Sequence, residues 1–130
     1  MNEKRTFDLE DRIIDCASRI IDVVEALPNS RAGNYLAAQL IRCGLAPALM
    51  YGEAQAAESR DDFIHKMKLI VKELKETRAC LKLISKKEMI KPVKKLDPLK
   101  KENKELIAII SKSIETAKKN NQKNKPKIEE

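Results

Sequence analysis

The sequence contains no Trp, and aromatic residues make up only 3% of its 130 positions. Few rings are available to stack on bases, so any nucleic acid bound would be held by its backbone. There is one His, His65, and no hydroxyl or thiol in a pattern that pairs with it, so a nucleophile–base couple cannot be assembled. The Glu-x-x-His pairs that build di-iron bundles do not occur. The three Gly are scattered, which excludes a Gly-rich phosphate loop. Gly44 and Gly52 fall within one helical pattern, where they suit close helix contact. The three Cys, Cys16, Cys43 and Cys80, are odd in number and form no Cys-x-x-Cys pair, so neither a zinc site nor a disulfide framework is expected. They read as small buried hydrophobes in a reducing cytoplasm. Residues 1–12 carry both charge signs and lack the apolar run of a signal peptide. No apolar run reaches the roughly 20 residues of a membrane span. These absences predict a cytoplasmic, non-catalytic protein with no cofactor, no metal and no membrane role.

What is present is helical. The apolar residues are mostly Leu, Ile, Ala and Met, which lose little rotamer freedom in a helix. Strand-like alternation and Asn-Gly or Asp-Gly turns are missing. A first helix is predicted from about Phe7 to Leu27, with Ile13, Ala17, Ile20, Val24 and Leu27 inward and Ile14 and Ile21 widening the stripe. Pro28-Asn29-Ser30 ends it. A second runs from about Ala32 to Ala57. Between Leu36 and Met50 its only charged residue is Arg42, and Leu36, Leu40, Ile41, Leu45, Leu49 and Met50 point all around the axis. A helix apolar all round must be covered all round, so a second subunit is expected to cover part of it, while Pro47 should kink it.

A third helix begins after Ser59, an N-cap followed by Asp61 and Asp62. Phe63, Met67, Ile70, Leu74, Thr77, Leu81 and Ile84 then repeat at heptad spacing, the seam of an antiparallel bundle. Lys68, Lys72, Lys75, Lys82 and Lys86 stand away from that seam and lead into a basic connector with Lys87, Lys91, Lys94 and Lys95. Asp97-Pro98 has the form of an N-cap followed by an N1 proline. A fourth helix follows from Leu99 to about Lys118, with Leu106, Ile109, Ile110, Ile114 and Ala117 inward. The fold class is therefore all-α, an antiparallel up-down four-helix bundle over residues 1–118. A disordered basic tail is expected over 119–130, which is polar and has no core pattern.

Charge is polarised along the chain. Residues 1–65 hold 7 Lys/Arg against 11 Asp/Glu, a net of −4, and residues 66–130 hold 20 against 9, a net of +11. The lysines of the third helix and connector read either as a solvated face or as a footprint for DNA or RNA backbone. Glu73 and Glu76 with Arg42 and Arg78 could be taken for an acid–base set. Charged residues flanking a helical seam that pair between helices or subunits explain them more simply.

The middle of the chain carries a denser signal. Gln39-x-x-Arg42-x-Gly44, then Tyr51-Gly52-Glu53-Ala54-Gln55-Ala56-Ala57-Glu58-Ser59-Arg60-x-Asp62-Phe63-Ile64-His65-Lys66, then Lys72-Glu73-x-x-Glu76-Thr77-Arg78-x-x-Leu81-Lys82-Leu83-Ile84 follow one another. Together they resemble the bacterial four-helix-bundle family whose founding members are encoded by intervening sequences in 23S ribosomal RNA genes. That family includes the accessory protein of diversity-generating retroelements. The resemblance spans about residues 7–118 and is densest over 36–84. It implies a bundle assembling with itself as a pentameric ring with a basic surface, and, as in retroelements, DNA or RNA and a reverse transcriptase as partners. It makes Arg42, Tyr51, Glu53, Glu73, Glu76 and Arg78 structural or interface residues. The chain departs from the family pattern at Cys43, Leu45, Ala46 and Met50, where polar residues are usual, and at Ala79-Cys80, where an aromatic pair is common. The expected subunit interface is Leu36, Ile41, Arg42, Leu45, Leu49, Met50 and Tyr51. The alternative is a structural or protein-interaction module whose lysines only keep it in solution.

Overall fold

The computed structural model describes residues 2–124, with side-chain surroundings from Leu9 to Asn121. Four long helices follow one another: α1 (Asn2–Ala26), α2 (Arg31–Gln55), α3 (Arg60–Lys86) and α4 (Asp97–Asn124), with a short 3-10 turn, Val93–Leu96, before the last. The described residues include no strand. Sequential helices pack side by side, α2 against α3 and α3 against α4 most extensively, whereas α1 meets α4 along a much narrower seam. The diagonal pairs do not approach one another. This is the square plan of an up-down bundle with short connections.

Local chemistry sets the helix ends. Ser30 caps α2 by accepting a hydrogen bond from the Gly33 amide at 3.0 Å, and Ser59 caps α3 by accepting from the Asp62 amide at 3.0 Å. Asp62 reaches back to accept from the Glu58 amide at 3.4 Å, so two free amides at this end are satisfied reciprocally. At the end of α3 the Met89 amide closes on the Ile84 carbonyl at 3.0 Å, and Glu88 takes a left-handed φ of 50°. The fourth helix starts differently from the expectation. Asp97 is already helical (φ −57°, ψ −47°), because the 3-10 turn runs directly into α4 and leaves no N-cap geometry there. The far end of α4 also extends past Lys118 to Asn124, and Asn121 donates a 2.6 Å hydrogen bond to Asp61 at the start of α3. Residues 125–130 of the expected tail lie outside the described residues.

The core is one continuous cluster drawn from all four helices, including Ile13, Ile20, Leu36, Leu40, Ile70, Leu74, Leu81, Leu106 and Ile110. Every predicted heptad position of α3 is buried except Phe63, which is half-buried. On α1 the buried stripe turns the other way from the expected widening. Cys16 and Val23 go inward on the side of α1 whose Arg12 meets Glu102 of α4, whereas Ile14 and Ile21 are exposed. The two α2 glycines divide as well. A Cβ on Gly44 would lie 2.6 Å from Ile20 Cγ2, so α1 packs tightly against α2 at Gly44, while a Cβ on Gly52 would meet nothing within 4 Å. The second helix continues through a buried Pro47. No helix among the described residues is long and apolar enough to cross a membrane.

Candidate nucleic-acid and assembly surfaces

The lysines of α3 are exposed, and helical geometry decides which way they face. Arg78 and Lys82 share a cavity between α3 and α4 with Lys100, Lys101 and Lys104. Lys75 and Lys68 lie about two and four turns before Lys82, and Lys86 one turn after it, so all follow the same edge of α3. A cationic groove therefore opens on the α3–α4 seam beside Arg78 and Lys82, and the positive stripe continues along this edge of α3. None of these groove lysines is in an ion pair among the described residues; Lys100 instead donates to Ser85 Oγ at 3.5 Å. Lys72 is exposed farther round α3, and Lys87 caps its C-terminus. The connector lysines part company with this groove. Lys91 and Lys95 line a separate cavity of about 420 Å³ with Arg19 and Asp22 of α1, because the connector folds back beneath the first helix, and Lys94 is exposed nearby.

The predicted charge set separates into two. Arg42 on α2 donates from Nη1 to both Glu73 oxygens at 3.2 Å and from Nη2 to Glu76 and to Gln39 Oε1. Gln39 in turn donates to Tyr35 Oη at 3.2 Å. Glu76 and then Glu73 push the Arg42 guanidinium further above its ordinary range. Glu53 is exposed, and neither it nor Arg78 joins this network; Arg78 faces α4 on the opposite edge of α3. A pair not foreseen ties α1 to α4: Arg12 donates from Nε and Nη2 to Glu102 at 2.9 and 2.7 Å and from Nη2 to Glu105 at 3.1 Å. Its hydrogen bonds hold the Glu102 carboxyl below its ordinary value.

Beside the Arg42 network, two of the three cysteines meet across the α2–α3 seam. A hydrogen bond from Cys80 brings the Cys43 thiol down to about 7 against the opposing effect of burial, and the same bond pushes Cys80 up. Cys16 stands apart, raised to about 11 by burial. Among the described residues no group of His, Cys, Asp and Glu is placed to hold a metal ion.

The expected interface residues on α2 divide by burial. Leu36 and Tyr51 are packed into this chain's own core, so neither is available to a second subunit. Leu45 and Met50 are half-buried, whereas Arg42 and Ile41 are exposed and Leu49 is 75% exposed. Ile14 and Ile21 of α1 are exposed on the flank turned toward α2. The α1–α2 side of the bundle thus carries several large apolar side chains in water. Sequence reasoning missed Lys104, Asn103 and the grouping of Arg78 with α4. The i, i+4 pair Lys100 and Lys104 was the available signal, but only the antiparallel register of α3 and α4 brings it beside Lys82.

A family model described as 23S rRNA-intervening sequence protein matches residues 5–112. Among solved structures, the chain is similar to a protein of unknown function from the S23 ribosomal protein family of Bacteroides thetaiotaomicron. The two are 26% identical with a TM-score of 0.75, over 82% of this chain and 97% of that one. No curated protein matches the chain.

Proposed function

The chain belongs to the 23S rRNA-intervening sequence protein family, and we propose that it is a non-catalytic, cytoplasmic, self-assembling protein that binds nucleic acid by its phosphate backbone. The observation that carries this reading is the groove itself. Arg78 and Lys82 of α3 meet Lys100, Lys101 and Lys104 of α4 there, and Lys68, Lys75 and Lys86 continue the positive charge along the same edge of α3, with no carboxylate paired to any of these lysines among the described residues. Paired lysines would cancel one another's fields with carboxylates; unpaired ones leave a positive stripe along which a polyanion can lie. Self-assembly rests on the other side of the molecule, where Ile14, Ile21, Ile41 and Leu49 are in water. Burying them against further copies removes apolar surface from water at a gain of about 25 cal/mol per Å². The assembly proposed is the pentamer that the resemblance implies. A ring would repeat the groove and add its weak contacts through multivalency.

Light scattering after gel filtration tests the assembly: a pentamer is expected, and a monomer at micromolar concentration overturns it. Fluorescence anisotropy with labelled single- and double-stranded oligonucleotides tests the groove. With about six phosphate contacts, affinity should fall on the order of 10³-fold between about 50 and 200 mM salt. Lys68→Glu, Lys75→Glu and Lys86→Glu together should abolish binding while helicity and assembly persist, since all three are exposed. Failure to bind at the lower salt leaves a structural or protein-interaction module.

A further inference from the structure

The α2–α3 seam holds two reactive groups that neither the cationic groove nor the apolar flank uses. Cys43 is buried on α2, and Cys80 is half-buried on α3. Three features of the seam bring them together. Arg42, the residue before Cys43, is hydrogen-bonded to Glu73 and Glu76, and Glu76 stands one turn before Cys80. The register of the two helices therefore sets these positions against each other. Both cysteine side chains pack into the same core cluster, Cys43 within it and Cys80 at its edge. The sulfurs themselves are in hydrogen-bond contact, Cys80 donating to Cys43. Cys16 is buried on α1, away from both. Two thiols in contact, one sealed in the core and one at its margin, are placed for oxidation in two steps.

We propose that Cys43 and Cys80 form a reversible disulfide, made by hydrogen peroxide entering at Cys80 and undone by a small-molecule thiol. The Cys80 thiolate attacks one peroxide oxygen. An S–O bond forms, the O–O bond breaks, and the departing hydroxide takes up a proton to leave as water. Cys80 is then a sulfenic acid, oxidised by the two electrons that reduce the peroxide. The Cys43 thiolate attacks the Cys80 sulfur, an S–S bond forms, the S–O bond breaks, and a second water leaves. Two thiols and one peroxide thus give one disulfide and two waters. The hydrogen bond between the sulfurs supports both steps. It brings the Cys43 thiol down to about 7, so at neutral pH the pair already exists in part as a thiolate holding one shared proton. Passing that proton from Cys80 to Cys43 puts the charge on the sulfur nearer water. Once Cys80 is oxidised, Cys43 stands beside it and resolves the sulfenic acid before it climbs to the irreversible acids. A transient bond of this kind is the form that disulfides take in a reducing compartment.

The test uses the whole protein in its assembled state, reduced and then freed of reductant. It is treated with hydrogen peroxide, alkylated in denaturant, and digested with trypsin without reduction. Cleavage after Arg12, Arg19, Arg42, Arg60, Arg78 and Lys82 leaves each cysteine on its own peptide, 13–19, 43–60 or 79–82. Mass spectrometry should find 43–60 joined to 79–82, lighter by two hydrogens than the separate peptides and released by dithiothreitol. Peptide 13–19 should stay alkylated, and a non-reducing denaturing gel should show single chains. No joined peptide, a joined peptide that includes 13–19, or covalently linked chains each overturn the proposal. Cys80→Ser tests the point of entry, with circular dichroism confirming the fold and Cys80→Ala taking its place if serine disturbs it. With the marginal sulfur gone, Cys43 at 1% exposure should keep its thiol through the same peroxide treatment. Oxidation of Cys43 in a folded variant as fast as in the wild-type protein overturns entry at Cys80.

Discussion

Gly44 and Gly52 stand in the same helix, and their surroundings predict opposite responses to the same substitution. Alanine at either position gains helix propensity of about 1 kcal/mol relative to glycine. At Gly52 the new methyl meets nothing within 4 Å, so that gain should appear in full. At Gly44 it would stand 2.6 Å from Ile20 Cγ2 and 3.2 Å from Cγ1. Ile20 is fully buried and has nowhere to retreat without moving α1. Overpacking of this kind costs about 1–3 kcal/mol, so Gly44→Ala should be neutral to destabilising by about 2 kcal/mol. The two variants should then differ by about 1–3 kcal/mol, the packing term alone, because propensity cancels between them. Urea unfolding followed by circular dichroism measures both, at one fixed protein concentration. In an Ile20→Ala background the clash is gone, and Gly44→Ala should become stabilising. If Gly44→Ala stabilises the wild-type protein as much as Gly52→Ala does, the close approach of α1 and α2 is refuted. If Gly52→Ala instead weakens assembly, a second subunit occupies the space beside it.

Three further outcomes are expected. The Glu102 carboxyl is held below its ordinary value of 4.5 by hydrogen bonds from Arg12. The unfolded chain therefore takes up that proton first, and the pair's stabilisation is present above pH 4.5 and lost as pH falls through the lowered value. Glu102→Gln should cost about 0.5–1.5 kcal/mol at neutral pH and flatten the acid limb of a stability–pH curve. Glu88 adopts a left-handed φ of 50° after α3, so Glu88→Gly should relieve strain and raise stability by up to about 1 kcal/mol in the same urea assay. Thiolate ultraviolet absorbance should reveal a Cys43 midpoint near 7. Cys80→Ala should move it upward, since the hydrogen-bond donor is lost and burial remains; an unmoved midpoint would show that Cys80 is not its cause.

The helices and most of their inward faces were legible before any tertiary contact was known. Heptad spacing in α3 names Met67, Ile70, Leu74, Thr77, Leu81 and Ile84, because a bundle helix repeats its buried face with the period of its own backbone. Ser30 and Ser59 announce helix starts through short-range hydrogen bonds that need only neighbouring residues. Arg42 with Glu73 and Glu76 was partly legible, as opposite charges flanking a shared seam.

Other features depend on which helix lies beside which, and no local pattern carries that. Ile14 and Ile21 fit a widened stripe as well as Cys16 and Val23 do; which side of α1 faces α4 decides which pair is buried. Leu36 and Tyr51 suited a subunit interface as readily as a core, and contact with the chain's own helices settles it. Cys43 and Cys80, far apart in sequence, become neighbours only when α2 packs on α3. Arg78 groups with Arg42, Glu73 and Glu76 in the sequence, but the turn of α3 carries it to the other edge, beside Lys100 and Lys104. Asn103 is the sharpest case. Its spacing with Leu99, Leu106 and Ile110 already puts it on the inward face of α4, but its oxygen is left unmet among the described residues only because α4 lays that position against the Leu74 carbonyl. A one-dimensional periodicity specifies which face of a helix is apolar; the antiparallel register between helices, set by packing along their whole length, specifies which polar groups meet.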